Sequence, residues 1–430
     1  MTTTAKVMLW GSRIGTVSVT DEKPIARFEY DRDFLKSGIE VSPIMMPLSE
    51  RVFTFPELSE RSFHGLPGML ADSLPDKFGN AVIDEWLKGQ ARAPGSLNAV
   101  ERLCYTGSRG MGALEYQPDH EAVRDTNETV DLAKLTELAS SILKRREGIH
   151  LSQADGMEQM IRVGTSAGGA RAKAIIAWNE TTGDIRSGQI QAGKGYGYWL
   201  IKFDGIEDNR DKEAADTPGY TRIEYAYYLM AIGAGISMNE CRLYEEPGSG
   251  RKHFLTRRFD RDIESGEKLH MQTLGAMAHF DFNQAGAYSY EDAAAVMLRL
   301  DLGQNEIREL FRRMIFNIMA RNQDDHVKNI SFLMDKKGKW SLAPAYDMTY
   351  AYNPGGLWTG IHQMRMNGKQ ENFTIEDFDA CGRSLNLKPK DIREMLEAIR
   401  IAVQKWEVYA ERADVNEADM EKIKAQHILF

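Results

Sequence analysis

The segment from Asn322 to Asp347 has the sequence NQDDHVKNISFLMDKKGKWSLAPAYD and decides the fold of this chain. The stretch before it, Asn305–Arg321, repeats apolar residues at the i, i+3, i+4, i+7 spacing that predicts a helix with one buried face. Two short apolar runs, Ile330–Met334 and Trp340–Ala343, flank a turn and predict a hairpin. We therefore expect a polar loop between a core helix and a hairpin.

Three oxygen-bearing side chains of this segment have the order and spacing of a phosphoryl-transfer site. Asp324 and Asn329 lie five positions apart on the loop, and Asp347 follows the hairpin. Protein kinases place a catalytic Asp, a metal-binding Asn and a second metal-binding Asp in this way. One carboxylate takes up the proton of the acceptor, and the other oxygens hold Mg²⁺, because hard cations prefer oxygen ligands. Lys328 is expected to offset the charge of the transferred phosphate.

A polar loop whose Asp and Asn residues only cap turns is the structural alternative for each residue taken alone. We assign that structural role to Asp325 and to His326. The complete set of two acids, an asparagine, a lysine, a hairpin and a third acid, all in order, favours the catalytic interpretation.

A glycine-containing stretch, Gly164–Lys173, is a second candidate phosphate site. Its sequence is GTSAGGARAK, and a predicted strand at Lys173–Trp178 follows it. Gly168 and Gly169 permit close backbone approach, so that amides there could cradle phosphates. The stretch lacks the Gly-Lys-Ser/Thr ending of the Walker pattern. By itself the stretch favours a flexible turn, and only the segment from Asn322 to Asp347 makes the phosphate interpretation preferable.

Lys202 lies in an apolar run, Tyr198–Phe203, that predicts a strand. A lysine embedded in such a strand costs stability unless its charge is paired. In a kinase such a lysine holds the α- and β-phosphates of ATP and pairs with a glutamate on the next helix, for which Glu224 is the candidate. A lysine on the solvent face of an edge strand is the alternative, because apolar residues alternate with it.

Composition and charge describe an acidic globular protein. The 430 residues include 54 basic and 63 acidic ones, a net charge of −9, which argues against a general nucleic-acid binder. The three separated cysteines predict core residues and not a disulfide framework or a zinc site. The N-terminus lacks the pattern of a signal peptide, and no stretch approaches the roughly 20 apolar residues of a membrane span. We expect a cytoplasmic protein.

The order of predicted elements indicates an α+β fold. We expect a small mixed N-terminal subdomain at 1–120, a strand-rich lobe with the glycine loop at 121–260, and a helical lobe with the polar loop at 261–430. A strand-rich lobe followed by a helical lobe is a bilobal, protein-kinase-like architecture.

Several motifs together resemble the HipA family, the kinase toxins of bacterial toxin–antitoxin modules. NQDDHVKNISFL followed by WSLAPAYDMTYAY is similar to the C-lobe signature of that family. TSAGGARAKAII resembles its phosphate loop, and FLTRRFDR resembles its hinge. SERSFHGLPGMLADSLPDKFGNAVIDEW, with YTGSRGMGAL after it, resembles its extra N-terminal subdomain. The resemblance extends over nearly the whole chain.

The resemblance implies a role for each matching residue. Asp324 matches the catalytic aspartate, Asn329 and Asp347 match the Mg²⁺ ligands, and Ser166 matches the serine that family members autophosphorylate. Phosphorylation there adds nearly two negative charges and ejects the phosphate loop, which switches the kinase off. From the residues alone, Thr165 is as good a candidate as Ser166. The set expected to bind ATP is Ala167, Gly168, Gly169, Ala170, Arg171, Ala172, Lys202, Arg257, Arg258, Phe259, Tyr346 and Asp347.

Two departures from the family pattern affect this set. Arg257 stands where the hinge of the family often has Glu, which changes a side-chain contact but not the backbone contacts to adenine around Phe259. Arg171 and Ala172 stand where the best-known member has Gln and Glu, which bears on substrate preference or loop stability.

The resemblance also implies a biological setting. Family targets are proteins, notably aminoacyl-tRNA synthetases such as the glutamyl enzyme, and their phosphorylation stalls translation and promotes growth arrest and persistence. The usual partner is HipB, a small dimeric DNA-binding antitoxin, so that DNA would be bound mainly through the partner.

Two alternatives keep part of this picture. The same fold could phosphorylate a small molecule, or the chain could be a non-catalytic scaffold or repressor subunit. The N-terminal match argues against the first alternative. The intact set of Asp324, Asn329 and Asp347 argues against the second.

Overall fold

The computed structural model describes most of the chain as two compact units. The described residues are 2–118, 128–143, 157, 160–161, 163, 171–189, 192–206, 219–262 and 265–430. The first unit comprises Met1–Pro218, Glu245–Gln272 and Leu333–Lys339, and the second comprises Gly219–Tyr244, Thr273–Phe332 and Trp340–Phe430. The predicted domain limits at 120 and 260 stay predictions.

A four-stranded antiparallel sheet begins the first unit. Its strands are β1 (Thr2–Leu9), β2 (Ser12–Thr20), β3 (Lys23–Tyr30) and β4 (Leu114–Gln117), in the order β3-β2-β1-β4. Along β1, Ala5, Val7 and Leu9 are buried and the residues between them are more exposed, as a strand with one covered face requires. Trp10 and Gly11 both have positive φ, which closes the two-residue hairpin between β1 and β2.

The described part of the first unit also contains several α-helices. They are α1 (Glu60–Phe63), α2 (Gly68–Ala71), α3 (Lys77–Gly89), α4 (Ala99–Thr106) and α5 (Leu132–Leu143). Asp76 caps α3, since its side chain accepts a hydrogen bond from Gly79 N at 2.6 Å. Asn98 and Glu101 form a capping box at the start of α4.

The chain also forms a five-stranded sheet. Its strands are β5 (Lys173–Trp178), β6 (Ile185–Ser187), β7 (Gly197–Lys202), β8 (Cys241–Glu245) and β9 (Lys252–Arg257), in the order β6-β5-β7-β9-β8. The neighbours of β5 and β7 run antiparallel to them. The strands predicted at Lys173–Trp178 and Tyr198–Phe203 are therefore confirmed as β5 and β7, and β7 lies at the centre of the sheet.

The second unit is mainly helical. Its helices are α6 (Tyr220–Gly233), α7 (Leu274–Ala278), α8 (Tyr290–Arg299), α9 (Gln304–Met319), α10 (Ile375–Ser384), α11 (Pro389–Gln404), α12 (Trp406–Arg412) and α13 (Glu417–Lys424). The predicted core helix is α9, whose apolar residues are buried. Within the described part of the chain, no helix is both long and apolar enough to cross a membrane.

Three further strands lie where the chain passes from one unit to the other. They are β10 (His270–Thr273), β11 (Ser331–Met334) and β12 (Trp340–Leu342). The last two form the predicted hairpin, which Ala343 N closes by donating to Ser331 O at 2.9 Å. All three cysteines, Cys104, Cys241 and Cys381, are buried, as predicted for core residues.

A buried charge network in the first unit ties the predicted hinge to the glycine-rich turn before β4. The Asp260 carboxylate is fully buried and accepts hydrogen bonds from Arg258 at 2.8 and 2.7 Å and from Arg261 at 3.2 Å. Gly112 N donates to it at 2.7 Å. A side chain at Gly112 would collide with Met271, because its Cβ would lie 2.8 Å from Met271 N. Burial alone would raise the pKa of Asp260, but the two guanidiniums hold that pKa well below its ordinary range.

Asp260→Asn is therefore expected to destabilise the first unit strongly. The substitution leaves two buried guanidiniums without their counter-charge, a loss of about 3 to 5 kcal/mol. The measurement is the free energy of unfolding from urea denaturation. Asp33→Asn is the matched control, because Asp33 pairs with Lys36 at 2.7 Å on the surface, where such a pair contributes little. Equal effects of the two substitutions would contradict this account of Asp260.

Candidate active site

The polar loop 322–330 is fixed at both ends by backbone hydrogen bonds. Near its start, Gln323 N donates to Ala351 O at 3.0 Å. At its end, Leu274 N donates to Ile330 O at 2.7 Å, which joins the loop to the first residue of α7. Backbone hydrogen bonds at both ends therefore fix the loop between α9 and the hairpin.

The two adjacent acids of this loop have opposite environments. The Asp324 side chain is 42% exposed. Asp325 is only 3% exposed, and its carboxylate accepts hydrogen bonds from Tyr290 OH at 2.8 Å and Gln363 N at 2.7 Å and lies 3.0 Å from His362 Nδ1. Burial, and then the Asp325 charge, raise the pKa of Tyr290 well above its ordinary value. Asp325 thus has the structural role predicted for it, and Asp324 faces solvent.

The segment that carries Asp347 is hydrogen-bonded to the same loop. Tyr346 OH donates to Lys328 O at 2.5 Å and lies 2.5 Å from Ser331 Oγ. Asn322 Nδ2 donates to Asp347 O at 3.4 Å. Two predicted site segments are therefore brought together. Tyr346, predicted to contact ATP, directs its hydroxyl to the protein backbone.

The oxygen donors at Asn329 and Asp347 fit a magnesium ion. Asn329 Nδ2 donates to Asp324 O at 2.7 Å, which uses the amide nitrogen inside the loop and turns the amide oxygen away from that contact. Among the described residues, no cluster of three or more His, Cys, Asp or Glu side chains could hold a metal. A magnesium–nucleotide site does not need such a cluster, because phosphates and waters complete the coordination.

A row of rings borders the Asp324 carboxylate. The centroids of Phe282 and His326 are 5.8 Å apart, and those of His326 and Trp358 are 6.2 Å apart. The Lys328 ammonium lies over the Phe282 ring, 4.6 Å from its centroid. Trp358 Nε1 donates a hydrogen bond to Asp324 Oδ1 at 2.7 Å. The sequence analysis did not identify Trp358. The only local sign of it is an aromatic residue inside a glycine-containing stretch, NPGGLWTG, which follows Asp347.

Lys202 occupies the central strand of the five-stranded sheet, so the edge-strand alternative is wrong. It is 9% exposed, and directly opposite it on β5 lies Lys173, which is also buried. Lys173 Nζ lies 3.0 Å from Asp76 Oδ2, and this carboxylate offsets the repulsion between the facing lysines. Lys173 and Asp76 were not singled out in the sequence. Glu224 is a buried residue of α6 in the second unit, and its pairing with Lys202 stays a prediction.

The predicted hinge residues differ in what their side chains do. The Arg258 side chain is completely buried and is bonded to Asp260, so its guanidinium serves the fold. Arg258 N donates to Tyr198 O at 2.9 Å within the sheet. The Arg257 guanidinium lies 5.8 Å from the centre of the Trp199 ring. The ATP contacts expected of the hinge residues therefore stay predictions.

Most of the predicted phosphate loop lies outside the described residues, namely Thr165, Ser166, Ala167, Gly168, Gly169 and Ala170. Its end is described: Ala172 is buried, and its carbonyl accepts a hydrogen bond from Phe203 N at 3.2 Å. The loop therefore leads directly into β5, as predicted.

These features define a class of α+β proteins in which a helix, a polar loop and a hairpin carry an ordered Asp–Asn–Asp set. Two family models match the chain, the HipA N-terminal domain at residues 5–117 and the HipA-like C-terminal domain at residues 165–406. Because the second match alone spans more than half of the chain, the protein belongs to the HipA family.

Two curated relatives share parts of the sequence. A Sinorhizobium fredii protein named "Putative kinase Y4mE" is 27% identical over 145 residues, which is 31% of this chain and 34% of that protein. A Haemophilus influenzae protein named "Putative kinase" is 36% identical over 104 residues, which is 22% of this chain and 29% of that protein. The chain thus matches about a third of the length of each relative.

A solved structure shares the fold over nearly the whole length. It is the Shewanella oneidensis HipA in a complex with HipB and operator DNA, with a TM-score of 0.67 and 16% identity. The similarity covers 98% of this chain and 94% of that one. At this identity the likeness concerns the fold, and it confirms the predicted α+β class.

Asp325→Ala is expected to destabilise the second unit much more than Asp324→Ala. The first change leaves several buried donors unsatisfied, a loss of about 3 kcal/mol, or roughly 6 to 12 °C in Tm for a unit of this size. The second removes a half-exposed carboxylate with one hydrogen bond. The measurement is Tm by calorimetry, and a larger loss in Asp324→Ala would contradict the assignment of structural and exposed roles.

Proposed function

We propose that the chain is an ATP-dependent serine/threonine protein kinase that transfers the γ-phosphoryl group to a hydroxyl of a protein target. The observation that carries the proposal is the exposed Asp324 carboxylate on a loop that also holds Asn329 and is hydrogen-bonded to the Asp347 segment. This loop lies inside the region that matches the HipA-like C-terminal domain.

In the proposed reaction, Asp324 accepts the proton of the acceptor hydroxyl while the hydroxyl oxygen bonds to the γ-phosphorus. The bond from the γ-phosphorus to the bridging oxygen breaks, and ADP leaves with those electrons. Asn329 and Asp347 would hold Mg²⁺, which would supply positive charge to the phosphates when bound. The Lys328 ammonium beside Phe282 adds positive charge near the transferred group.

Lys202 is proposed to hold the α- and β-phosphates of ATP. Its position on the central strand β7, inside the region that matches the HipA-like C-terminal domain, supports this role. We propose that the backbone around Phe259 contacts adenine and that the end of the phosphate loop, Arg171 and Ala172, leads the loop to the phosphates.

The proposed regulation is self-limiting. Autophosphorylation at Ser166 adds negative charge beside the loop Ala167–Ala172 and opposes the binding of ATP phosphates. The proposed partner is a HipB-like antitoxin, which family membership supports, together with the fold shared with a HipA that is bound to HipB and operator DNA. The net charge of −9 fits DNA contact through that partner. The proposed target class is aminoacyl-tRNA synthetases, with growth arrest as the outcome.

Purified wild-type protein with ATP and Mg²⁺ is expected to phosphorylate itself at Ser166, and Asp324→Gln is expected to abolish this. The reason is that glutamine cannot accept the acceptor's proton. Mass spectrometry measures the modification, with Asp379→Asn on α10 as a control that removes an acid elsewhere in the second unit. Ser166→Ala beside Thr165→Val assigns the modified residue.

An unmodified wild type, or equal modification in Asp324→Gln, would contradict the proposal. ATP consumption without protein modification would favour a small-molecule kinase. Absence of nucleotide binding would favour the non-catalytic alternative.

Asp347→Asn is expected to weaken ATP binding in the presence of Mg²⁺ by about tenfold or more, because it removes a charged ligand of the metal. Calorimetric titration with ATP, with Mg²⁺ and with EDTA, measures the effect. Asp379→Asn, which removes an acid of α10 outside the loop, is expected to retain Mg²⁺-dependent binding. Unchanged titration of Asp347→Asn would remove Asp347 from the metal site.

A further inference from the structure

The stretch around Trp358 is anchored to the catalytic loop through Asp325. Gln363 N donates to Asp325 Oδ1 at 2.7 Å. The Gln363 side chain turns back and donates to Trp358 O and, at 3.2 Å, to Ile361 O. A buried carboxylate therefore fixes the backbone that carries Trp358, so the position of the indole is set by the core and not by a loose surface loop.

The indole contacts the exposed acid next to that anchor. Trp358 Nε1 donates to Asp324 Oδ1 at 2.7 Å, a normal length for this kind of bond. The other nearby nitrogen, His326 Nε2, lies 3.8 Å from the same oxygen, which is too long for a hydrogen bond. An indole N–H only donates and cannot take up a proton from an acceptor hydroxyl. The indole can therefore hold the Asp324 carboxylate in place without taking over its proposed role as proton acceptor.

We propose that Trp358 is the positioning residue of Asp324. Its N–H fixes one carboxylate oxygen, so that the other is presented to the acceptor hydroxyl in a single orientation. This follows the general requirement that a catalytic base be oriented by a further group. The inference rests on the proposed catalytic role of Asp324 and adds the residue that orients it.

A blocking role for Trp358 is the competing interpretation. In that case the indole would occupy the place of the acceptor and would have to leave before phosphoryl transfer. The Asp324 side chain remains 42% exposed with the indole in contact, so an acceptor can reach the carboxylate while the hydrogen bond persists. The geometry therefore favours positioning, and the two roles predict opposite effects of removing the N–H.

Trp358→Phe tests the proposal because it keeps an aromatic ring at this position and removes the N–H donor together with the second ring of the indole. We expect kcat for phosphoryl transfer to fall roughly ten- to a hundredfold, as for loss of a hydrogen bond to a charged group. The KM for ATP is expected to stay within about twofold, and Tm should be unchanged. The matched control is Leu357→Ala, which removes the neighbouring side chain, 95% exposed, and should leave kcat unchanged.

A second measurement examines the hydrogen bond directly, without activity. The chain has seven tryptophans, and ¹⁵N labelling of their indoles gives one NMR signal for each. Trp358→Phe identifies the signal of Trp358 by its loss. That signal is expected to shift upfield in Asp324→Ala, because the N–H loses a charged acceptor, and to stay in place in Leu357→Ala.

The outcomes separate this inference from the proposed function. An active wild type, an inactive Asp324→Gln and a Trp358→Phe variant with equal or higher kcat would overturn the positioning role while leaving the kinase proposal intact. An unshifted Trp358 signal in Asp324→Ala would also overturn it. A wild type without phosphoryl transfer would refute the proposed function, and with it any positioning role.

Discussion

The candidate site depends on one buried carboxylate, that of Asp325. A charge taken out of water is tolerated only when hydrogen bonds and partners compensate it. Here the compensation comes from Tyr290 on α8, from His362 and from the backbone of Gln363, which are distant in sequence. Satisfying this charge fixes the loop after α9 in a single conformation. The neighbouring Asp324 is thereby directed towards solvent.

The Asp325 carboxylate also links the loop of Asp324 to the later stretch that carries Trp358. Asp325 holds the stretch that ends in Gln363, and that stretch brings Trp358 to Asp324. On the other side, Tyr346 and Asn322 bind the segment of Asp347 to the loop. A structural acid, not a catalytic one, thus organises the surroundings of the proposed base.

Buried charge is also the organising element in the first unit. Asp260 gathers Arg258, Arg261 and the Gly112 amide. Asp76 caps α3 with one oxygen and lies 3.0 Å from Lys173 through the other, and Lys173 is paired with Lys202 in the β5–β7 register. Asp260 neutralises two arginines of its own segment and bonds the amide of a distant one, whereas Asp76 pairs with a lysine that is distant in sequence. Loss of one partner leaves an uncompensated charge, so these contacts specify the arrangement of the strands strongly.

Local sequence patterns predicted the parts of the site that local forces determine. The periodicity of α9 and the hairpin after it were readable, because helix amphipathicity and turn chemistry act over a few residues. The catalytic role assigned to Asp324 stays a prediction. The burial of Lys202 was left open by alternation alone. The order of the strands excluded an edge position, and packing over the face of the sheet, which the sequence pattern does not encode, buries the side chain.

Trp358 and Lys173 could not be predicted in the same way. Trp358 meets Asp324 across 34 positions of sequence, and no periodicity links the two residues. Lys173 meets Asp76 across an even longer separation. Such contacts arise only when tertiary packing brings segments together. Residues that orient a catalytic group through long-range contacts are therefore the ones that sequence patterns overlook, while the ordered Asp–Asn–Asp set is visible.

The most direct test of the central claim, phosphoryl transfer that depends on Asp324 as the base, is quantitative phosphoproteomics of cells that express the wild type or Asp324→Gln at equal levels. The account predicts Ser166 phosphorylation and a small set of new phosphoserine or phosphothreonine sites on target proteins, present with the wild type alone. Identical phosphoproteomes for the two variants, in cells where both proteins are folded, would contradict it.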